Sequence, residues 1–247
     1  MANSITTFKK YIDLIDDVYK ENAKTAILDG DNSLVQAGSN AHEIVIPKIS
    51  MDGLGDYSRN GGYVDGDVTV TNETVEFNYD RGRAFTVDAM DNEETAGVAF
   101  GKLASEFIRV KVVPELDAFR FAKYAGISGI SKVSAGATLS TGADVIAALR
   151  AGTTKMDEDE VPAEDRHLFI TPTLYGLVQD MDTTKSREVM SRFADITLVP
   201  QSRFYTAVTL YDGKTDTSSQ DSGVNQKPGG FVKASSAKDI NFMIIHG

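Results

Sequence analysis

The chain has 247 residues, a formal net charge of -11 and no cysteine, and its isoelectric point is near 4.7. This acidity argues against a protein whose main task is to grip nucleic acid, because phosphate binding needs a clustered lysine and arginine surface. The lack of cysteine excludes disulfides, thiolate metal sites and cysteine nucleophiles. No apolar stretch has the length of a secretory signal or a membrane span, so we expect neither export nor membrane insertion.

The N-terminal segment is predicted to form an amphipathic helix. Five apolar residues recur three and four positions apart with charged residues between them: Ile5, Phe8, Ile12, Ile15 and Tyr19. Such a helix needs a surface to pack on, and the simplest one is the chain's own domain. Residues 29–40 are rich in Gly, Asn, Asp and Ser, which predicts a loop and a segment boundary near residue 40.

Alternating apolar residues predict strands within residues 43–88, because strand side chains point alternately to opposite faces. The alternating residues are Ile44 and Ile46, Val68 and Val70, Val75 with Phe77 and Tyr79, and Phe85 with Val87. Residues 50–67 contain five glycines, too few apolar residues for a core and no helical period. This stretch is predicted to project as a long loop, whose simplest interpretation is an ordinary surface loop.

A long helix is predicted over residues 91–124. Asp91 and Glu94 have the spacing of an N-cap and its N3 partner, which marks the start of the helix. Pro114 is expected to bend the helix near Val110, because the proline ring clashes with the carbonyl four residues earlier. The apolar stripe that we expect to be buried consists of Phe100, Leu103, Phe107, Val110, Leu116 and Phe119.

The chain from residue 126 onward is predicted to be a mixed α+β unit. Thr141 can cap a helix that is expected to end near Gly152, and the acidic run 157–160 is expected to be a solvated loop. Thr171 and Pro172 mark the N-cap and the first residue of another helix. Strands are predicted at residues 167–171, 196–199, 205–211 and 240–245, and a polar insertion at residues 212–230.

Three stretches of the chain carry a resemblance to a known family: DNEETAGVAFG with VVPELDAFRFAKYAG, HLFITPTLY, and KDINFMIIH. They resemble, in this order, the spine helix, a strand-to-helix step and a late apolar strand of tailed-bacteriophage major capsid proteins. The resemblance implies the α+β phage major capsid fold. Its segments would be an N-terminal arm (1–40), an extended β loop with peripheral-domain strands (41–90), the long spine helix of the peripheral domain (91–125) and an axial domain of mixed sheet and helices (126–247). Because family members usually continue beyond that last strand, the resemblance also implies either that the axial domain is truncated at its C-terminus or that this branch of the family ends early.

In that family the arm and the extended loop reach onto neighbouring subunits. The resemblance therefore implies intersubunit contacts through Tyr57, Arg59 and Tyr63 in the loop and through Phe8 and Ile12 in the arm.

Some capsids of this fold also join a loop lysine covalently to an asparagine of a neighbour. The only lysine within residues 43–90 is Lys48, which lies beside Pro47 at the start of the loop. Arg59 at the tip stays protonated and cannot act as the nucleophile. We therefore expect no cross-link.

No catalytic, cofactor or metal site is predicted. His42, His167 and His246 are far apart in the chain and lack the spacing of a helical zinc pair. The oxygen-rich run 29–33 is followed by Leu34, where a calcium loop needs a glycine for its turn. We expect a structural protein and not an enzyme.

The resemblance implies a subunit that self-assembles into the hexamers and pentamers of an icosahedral phage head, which encloses double-stranded DNA without binding it specifically. The implied partners are further copies of the chain, portal protein and scaffolding protein, with no membrane. The implied location is the virion, after assembly in the bacterial host cytoplasm.

Within the same fold, the alternative is an encapsulin-like compartment shell that encloses protein cargo. From a different class, the alternative is an α+β hydrolase or carbohydrate-binding module with residues 57–63 as a ligand loop, which predicts a compact monomer.

Overall fold

The computed structural model describes residues 23–29, 36–37, 43–76, 79–85, 98–132, 137–213 and 229–247. These residues form a mixed α+β structure, as the sequence predicts. The chain divides into two compact units: Gly30–Val87, which we call the hairpin unit, and Met1–Asp29 with Asp88–Gly247, which we call the mixed unit. The predicted N-terminal helix and the predicted helix start at Asp91 lie outside the described residues.

The described part of the hairpin unit forms an antiparallel sheet with the strand order β1, β2, β3. These strands are β1 Gln36–Ala37, β2 Glu43–Met51 and β3 Val68–Glu76. Strands β2 and β3 pair along their whole length, from Glu43 opposite Glu76 to Met51 opposite Val68. The strands predicted from the alternating residues of 44–46 and 68–70 are thereby confirmed.

The strands predicted further along the hairpin unit are only partly present. Val75 lies in β3, but Tyr79 and Phe85 fall in residues 79–85, which contain no strand. The prediction of strands at Tyr79 and Phe85 is therefore wrong, and Phe77 and Val87 lie outside the described residues. Alternation of apolar residues is not sufficient to predict a strand, because strand preference depends strongly on the structural context.

The long helix is continuous through its described part but contains an irregular turn. Helix α1, Val98–Phe107, leads into a π-helical turn, Ile108–Val112, and then into α2, Val113–Gly126. The N–H of Val113 donates to the carbonyl of Ile108, five residues earlier. This wider turn lies where the sequence predicts that Pro114 disturbs the helix, and π-helical turns are a common way to absorb such a disturbance.

The buried face of this helix differs from the predicted stripe. Val110 is 45% exposed, so its predicted burial is wrong, and Phe107 is only partly buried. A count at 3.6 residues per turn fails at Val110, because this residue lies within the π-helical turn, where the winding is wider than in an α-helix. The apolar residues that are buried along the helix are Ile108, Val113, Ala118 and Phe121.

The mixed unit is organised around a central strand. Strand β4, Arg166–Ile170, lies between β5, Asp195–Leu198, which runs parallel to it, and β8, Phe242–His246, which runs antiparallel. Strands β6, Val208–Tyr211, and β7, Gly230–Lys233, form a separate antiparallel pair. The strands predicted at residues 167–171 and 196–199 are confirmed to within one residue. Strand β6 begins only at Val208 and β8 only at Phe242, and β7 was not predicted.

Three helices of the mixed unit follow in the chain: α3, Gly142–Glu158, α4, Pro172–Met181, and α5, Thr184–Met190. Helix α3 begins at the predicted cap, where the N–H of Asp144 donates to Thr141 Oγ1 at 3.2 Å and the N–H of Thr141 donates back to Asp144 Oδ2 at 3.1 Å. Helix α4 begins at Pro172, as predicted.

The predicted end of α3 near Gly152 is wrong, because the helix continues to Glu158 and includes the start of the acidic run. Gly152 lies against β8, where an added Cβ would stand 3.0 Å from Ile244 Cδ1. This glycine allows close packing of the helix on the strand, and the cost of glycine within a helix, about 1 kcal/mol relative to alanine, does not end the helix.

The central sheet is covered on both faces. Phe169 of β4 belongs to one cluster with Phe121, Val199, Phe204 and Ile240. Its neighbours along the strand point the other way. These neighbours, Leu168 and Ile170, pack with the helices in a second cluster. The buried members of this second cluster are Leu168, Ile170, Val145, Ile146, Leu149, Leu174, Val178, Val189 and Phe193.

A buried carboxylate joins segments that are distant in the sequence. Asp117 of α2 is fully buried. Its oxygens accept hydrogen bonds from the N–H of Lys24 at 3.1 Å, from the N–H of Thr25 at 3.2 Å and from Thr25 Oγ1 at 2.7 Å. Arg203 Nη1 approaches the same carboxylate at 3.3 Å. The segment around Thr25 and the short 3-10 helix Gln201–Arg203 are thus both bound to α2.

We expect Phe121→Ala to lower the free energy of unfolding by about 3–5 kcal/mol. The Phe121 ring is fully buried and meets Phe169 at 5.4 Å and Phe204 at 4.8 Å between ring centroids. The matched control on the same long helix is Val110→Ala, which should change the free energy by no more than about 0.5 kcal/mol because the side chain is exposed. Denaturant titration followed by circular dichroism measures both, and equal effects would contradict the buried face described above.

Candidate functional site

The outer half of the β2–β3 hairpin displays an apolar patch. In the antiparallel register Ile49 lies opposite Val70 and Met51 lies opposite Val68. Residues two apart in a strand share a face, so these four side chains lie together on one side of the hairpin. Their exposed fractions are 65% for Ile49, 70% for Met51, 67% for Val68 and 61% for Val70. We call these four residues the apolar patch.

The opposite face of the same hairpin is more polar. Lys48 lies opposite Thr71, and Ser50 lies opposite Thr69. Lys48 also forms an ion pair with Glu73, in which both side chains remain more than half exposed. The outer hairpin is therefore amphipathic, with an apolar side that its own unit leaves exposed.

The loop that connects the two strands is closed by hydrogen bonds at its base and at its apex. At the base, the N–H of Asp52 donates to the carbonyl of Asp67 at 3.2 Å, and the N–H of Asp67 donates to Asp52 Oδ2 at 2.9 Å. At the apex, the N–H of Gly62 donates to the carbonyl of Ser58 at 2.8 Å. Gly62 has a φ of +76°, a conformation that favours glycine.

The apex presents two tyrosines and an arginine. The Tyr57 and Tyr63 rings lie on either side of the apical turn, with centroids 5.1 Å apart, and are 63% and 86% exposed. Arg59 lies within the turn and is exposed, and its side chain has no hydrogen-bond or ion-pair partner among the described residues. Tyrosine and arginine are the residue types that most often dominate the binding energy of protein interfaces.

The structure thus brings together the three loop residues that the sequence singles out, Tyr57, Arg59 and Tyr63. Phe8 and Ile12 lie outside the described residues. The apolar patch was missed in the sequence, where Val68 and Val70 were predicted as strand residues, Met51 fell within the predicted loop and Ile49 was not singled out. The alternation of Val68 and Val70 was visible, but their grouping with Ile49 and Met51 depends on the strand register.

The described residues contain no group of three or more His, Cys, Asp or Glu side chains placed to hold a metal ion. His167 lies on β4, and its Nδ1 atom is buried without a hydrogen-bond partner in the described part of the chain. His42 lies outside the described residues. Among the helices that the structure describes, none combines the length and the apolar character needed to cross a bilayer.

Comparisons with protein-family models, with curated proteins and with solved structures find no match to this chain.

Replacing Val68 and Val70 with threonine should leave the free energy of unfolding within about 0.5 kcal/mol of the unmodified value. Both side chains are exposed, and threonine retains the branched shape that suits a strand. The control is Val145→Thr, at a fully buried position, which should be clearly destabilising because it buries a hydroxyl. Denaturant titration of the three proteins checks this, and a large loss for the double variant would show that the apolar patch is already covered within the chain.

Proposed function

We propose that this chain is a major capsid protein, a structural subunit that self-assembles into hexamers and pentamers of an icosahedral phage head around double-stranded DNA. The observation that carries the proposal is the apolar patch, whose four side chains are each more than three-fifths exposed. An isolated hairpin is marginally stable in water, and contiguous exposed apolar surface marks an interaction site. A neighbouring subunit that covers the patch would supply the burial that the hairpin lacks.

Covering the apolar patch would make a substantial contribution to assembly. Full burial of a Val, Ile or Met side chain contributes about 1.5–3 kcal/mol. Because the four residues of the apolar patch are roughly two-thirds exposed, covering them contributes on the order of 4–8 kcal/mol per subunit, before the cost of association is subtracted. Repeated around a closed shell, contacts of this modest size give a stable particle while each one stays reversible during assembly.

Tyr57, Arg59 and Tyr63 would give this contact its specificity. A rigid aromatic pair with an adjacent guanidinium offers apolar area, hydrogen bonds and charge within one small surface. The loop that carries them is held by hydrogen bonds at both ends, so little conformational entropy is lost on binding.

The arrangement of contacts in a ring also suits this chain. Copies related by rotation around a ring meet through two different patches, one for each neighbour. The hairpin unit offers one such surface and the mixed unit, which has its own core, offers others. The sequence resemblance to tailed-bacteriophage capsid proteins supports the same function, with portal and scaffolding proteins as further partners and the virion as the location.

Electron microscopy of the purified protein tests the proposal directly. We expect shells or capsomer rings, and a protein that stays monomeric under assembly conditions would contradict the proposal. Shells that copurify with a specific cargo protein and exclude DNA would point to an encapsulin-like compartment instead.

Replacing residues 53–66 with an Asn-Gly turn should abolish assembly and leave the fold intact. Asn-Gly forms the two-residue turn that matches the twist of a hairpin, and Asp52 and Asp67 already pair at this point. Circular dichroism and electron microscopy of the same sample give the two readouts.

A subtler variant separates the loop's contacts from its length. Tyr57→Ser with Tyr63→Ser keeps the loop and should also weaken assembly. Shells of normal yield from the protein in which Asn-Gly replaces residues 53–66 would rule out an intersubunit role for the loop.

Assembled particles should dissociate into monomers in hot denaturing detergent. Lys48, the only lysine in residues 43–90, lies on β2 in an ion pair with Glu73 and away from the loop apex. Non-covalent contacts would then hold the neighbours together. A ladder of covalent multimers on a denaturing gel that disappears in Lys48→Arg would contradict this prediction, because it would show that Lys48 joins neighbouring copies covalently.

A further inference from the structure

A shallow, open depression of about 610 Å³, which we call the groove, lies on the outer face of α3. One wall is formed by Ser131 and Lys132, which follow α2, and the other by residues of α3 that point away from the core. These residues of α3 are Ala147, Arg150, Ala151, Thr154, Lys155 and Glu158.

The positive charges of this groove are not all compensated. Lys155 is 2.9 Å from Asp159 and 3.9 Å from Glu158, and the hydrogen bond to Asp159 raises the pKa of Lys155 above its ordinary value. Lys132 and Arg150 are exposed and have no side-chain hydrogen bond or ion pair with any residue that the structure describes. In a chain with a net charge of -11, two unpaired cations in one groove form a site for carboxylates.

A complementary surface lies on the loop that follows α3. Glu160 and Glu164 are exposed there, and within the described ranges their carboxylates also have no partner. The loop itself is held in place by buried Arg166, which donates to the carbonyls of Val161 at 2.6 Å and Pro162 at 2.8 Å. The same guanidinium forms an ion pair with Asp157 at 2.7 Å. The two free carboxylates are therefore presented on a rigid support.

We propose that in the assembled ring the groove with Lys132 and Arg150 of one copy receives the loop with Glu160 and Glu164 of the next copy. This inference rests on the proposed function, since it needs copies arranged in rings. The two surfaces are different parts of the same chain, so in a ring each copy would present its groove to one neighbour and its loop to the other, which is a head-to-tail contact. Charge complementarity selects the partner and its register more than it adds affinity.

Nucleic acid fits the groove less well than the acidic loop does. Binding to a phosphate backbone uses many cations along a stripe, whereas this groove has two that are free and also contains Glu158. Two glutamates on a fixed loop match two cations in number.

Charge reversal on each side, followed by mixing, tests the contact. The groove variant is Lys132→Glu with Arg150→Glu, and the loop variant is Glu160→Lys with Glu164→Lys. We expect each variant alone to lose ring formation at a concentration at which the unmodified protein assembles. An equal mixture should recover rings, because each acidic groove then meets a basic loop and each basic groove meets an acidic loop. Such rings alternate the two variants, so electron microscopy should show six-membered rings and no five-membered ones.

The control is Lys185→Glu, which reverses one positive charge outside the groove. Lys185 is exposed in the first turn of α5, so this variant should assemble normally. Circular dichroism of every variant should match the unmodified protein. A groove variant that assembles normally overturns the inference and leaves the proposed function standing. The inference is also overturned if the mixture fails to assemble although both variants are folded. It is likewise overturned if the groove variant assembles normally but encloses less DNA. If the unmodified protein forms no rings, it is the proposed function that fails.

Discussion

The mixed unit depends on the burial of one charged group, the carboxylate of Asp117. A buried carboxylate is tolerated only where hydrogen bonds and a neighbouring positive charge replace its lost water. Here the donors come from Lys24 and Thr25, more than ninety positions earlier in the chain, and from Arg203. Removing any of them would leave part of the charge unsatisfied, at a cost of about 1–3 kcal/mol or more. The residues just before the hairpin unit are therefore held to α2 by the same group that holds Gln201–Arg203.

The two units differ in how far their apolar side chains are buried. In the mixed unit, β4 is covered on both faces, so Phe169 and its neighbours Leu168 and Ile170 are fully buried. In the hairpin unit, Ile49 and Val70 meet across the strands but stay mostly exposed. The mixed unit has a core of its own, and the hairpin unit presents a surface. This contrast within one chain is the physical basis for proposing an assembling subunit. The charges on and near α3 that have no partner among the described residues suggest how neighbouring mixed units select each other.

Several elements could be predicted from the sequence because their causes are local. Thr141 caps α3 through Asp144, three residues away, and Pro172 starts α4 because its fixed φ suits a first turn. The failures have causes that are not local. The burial of Val110 was predicted at a regular helical period, but this residue lies inside the π-helical turn, where that period does not hold. Gly152 was interpreted as a stop, but it lies within the helix, where glycine lets β8, about ninety residues later, pack closely against it.

The sequence by itself determined the α+β class, the positions of most described strands and helix starts, and the exposure of Tyr57, Arg59 and Tyr63 on a glycine-rich loop. These follow from side-chain period, capping and turn chemistry, which act over a few residues. Only the tertiary structure decided which face of the long helix is buried, that Asp117 lies in the interior, and that Ile49, Met51, Val68 and Val70 form one patch. Each of these depends on strand register or on contacts between residues far apart in the chain, and no local pattern encodes such distances.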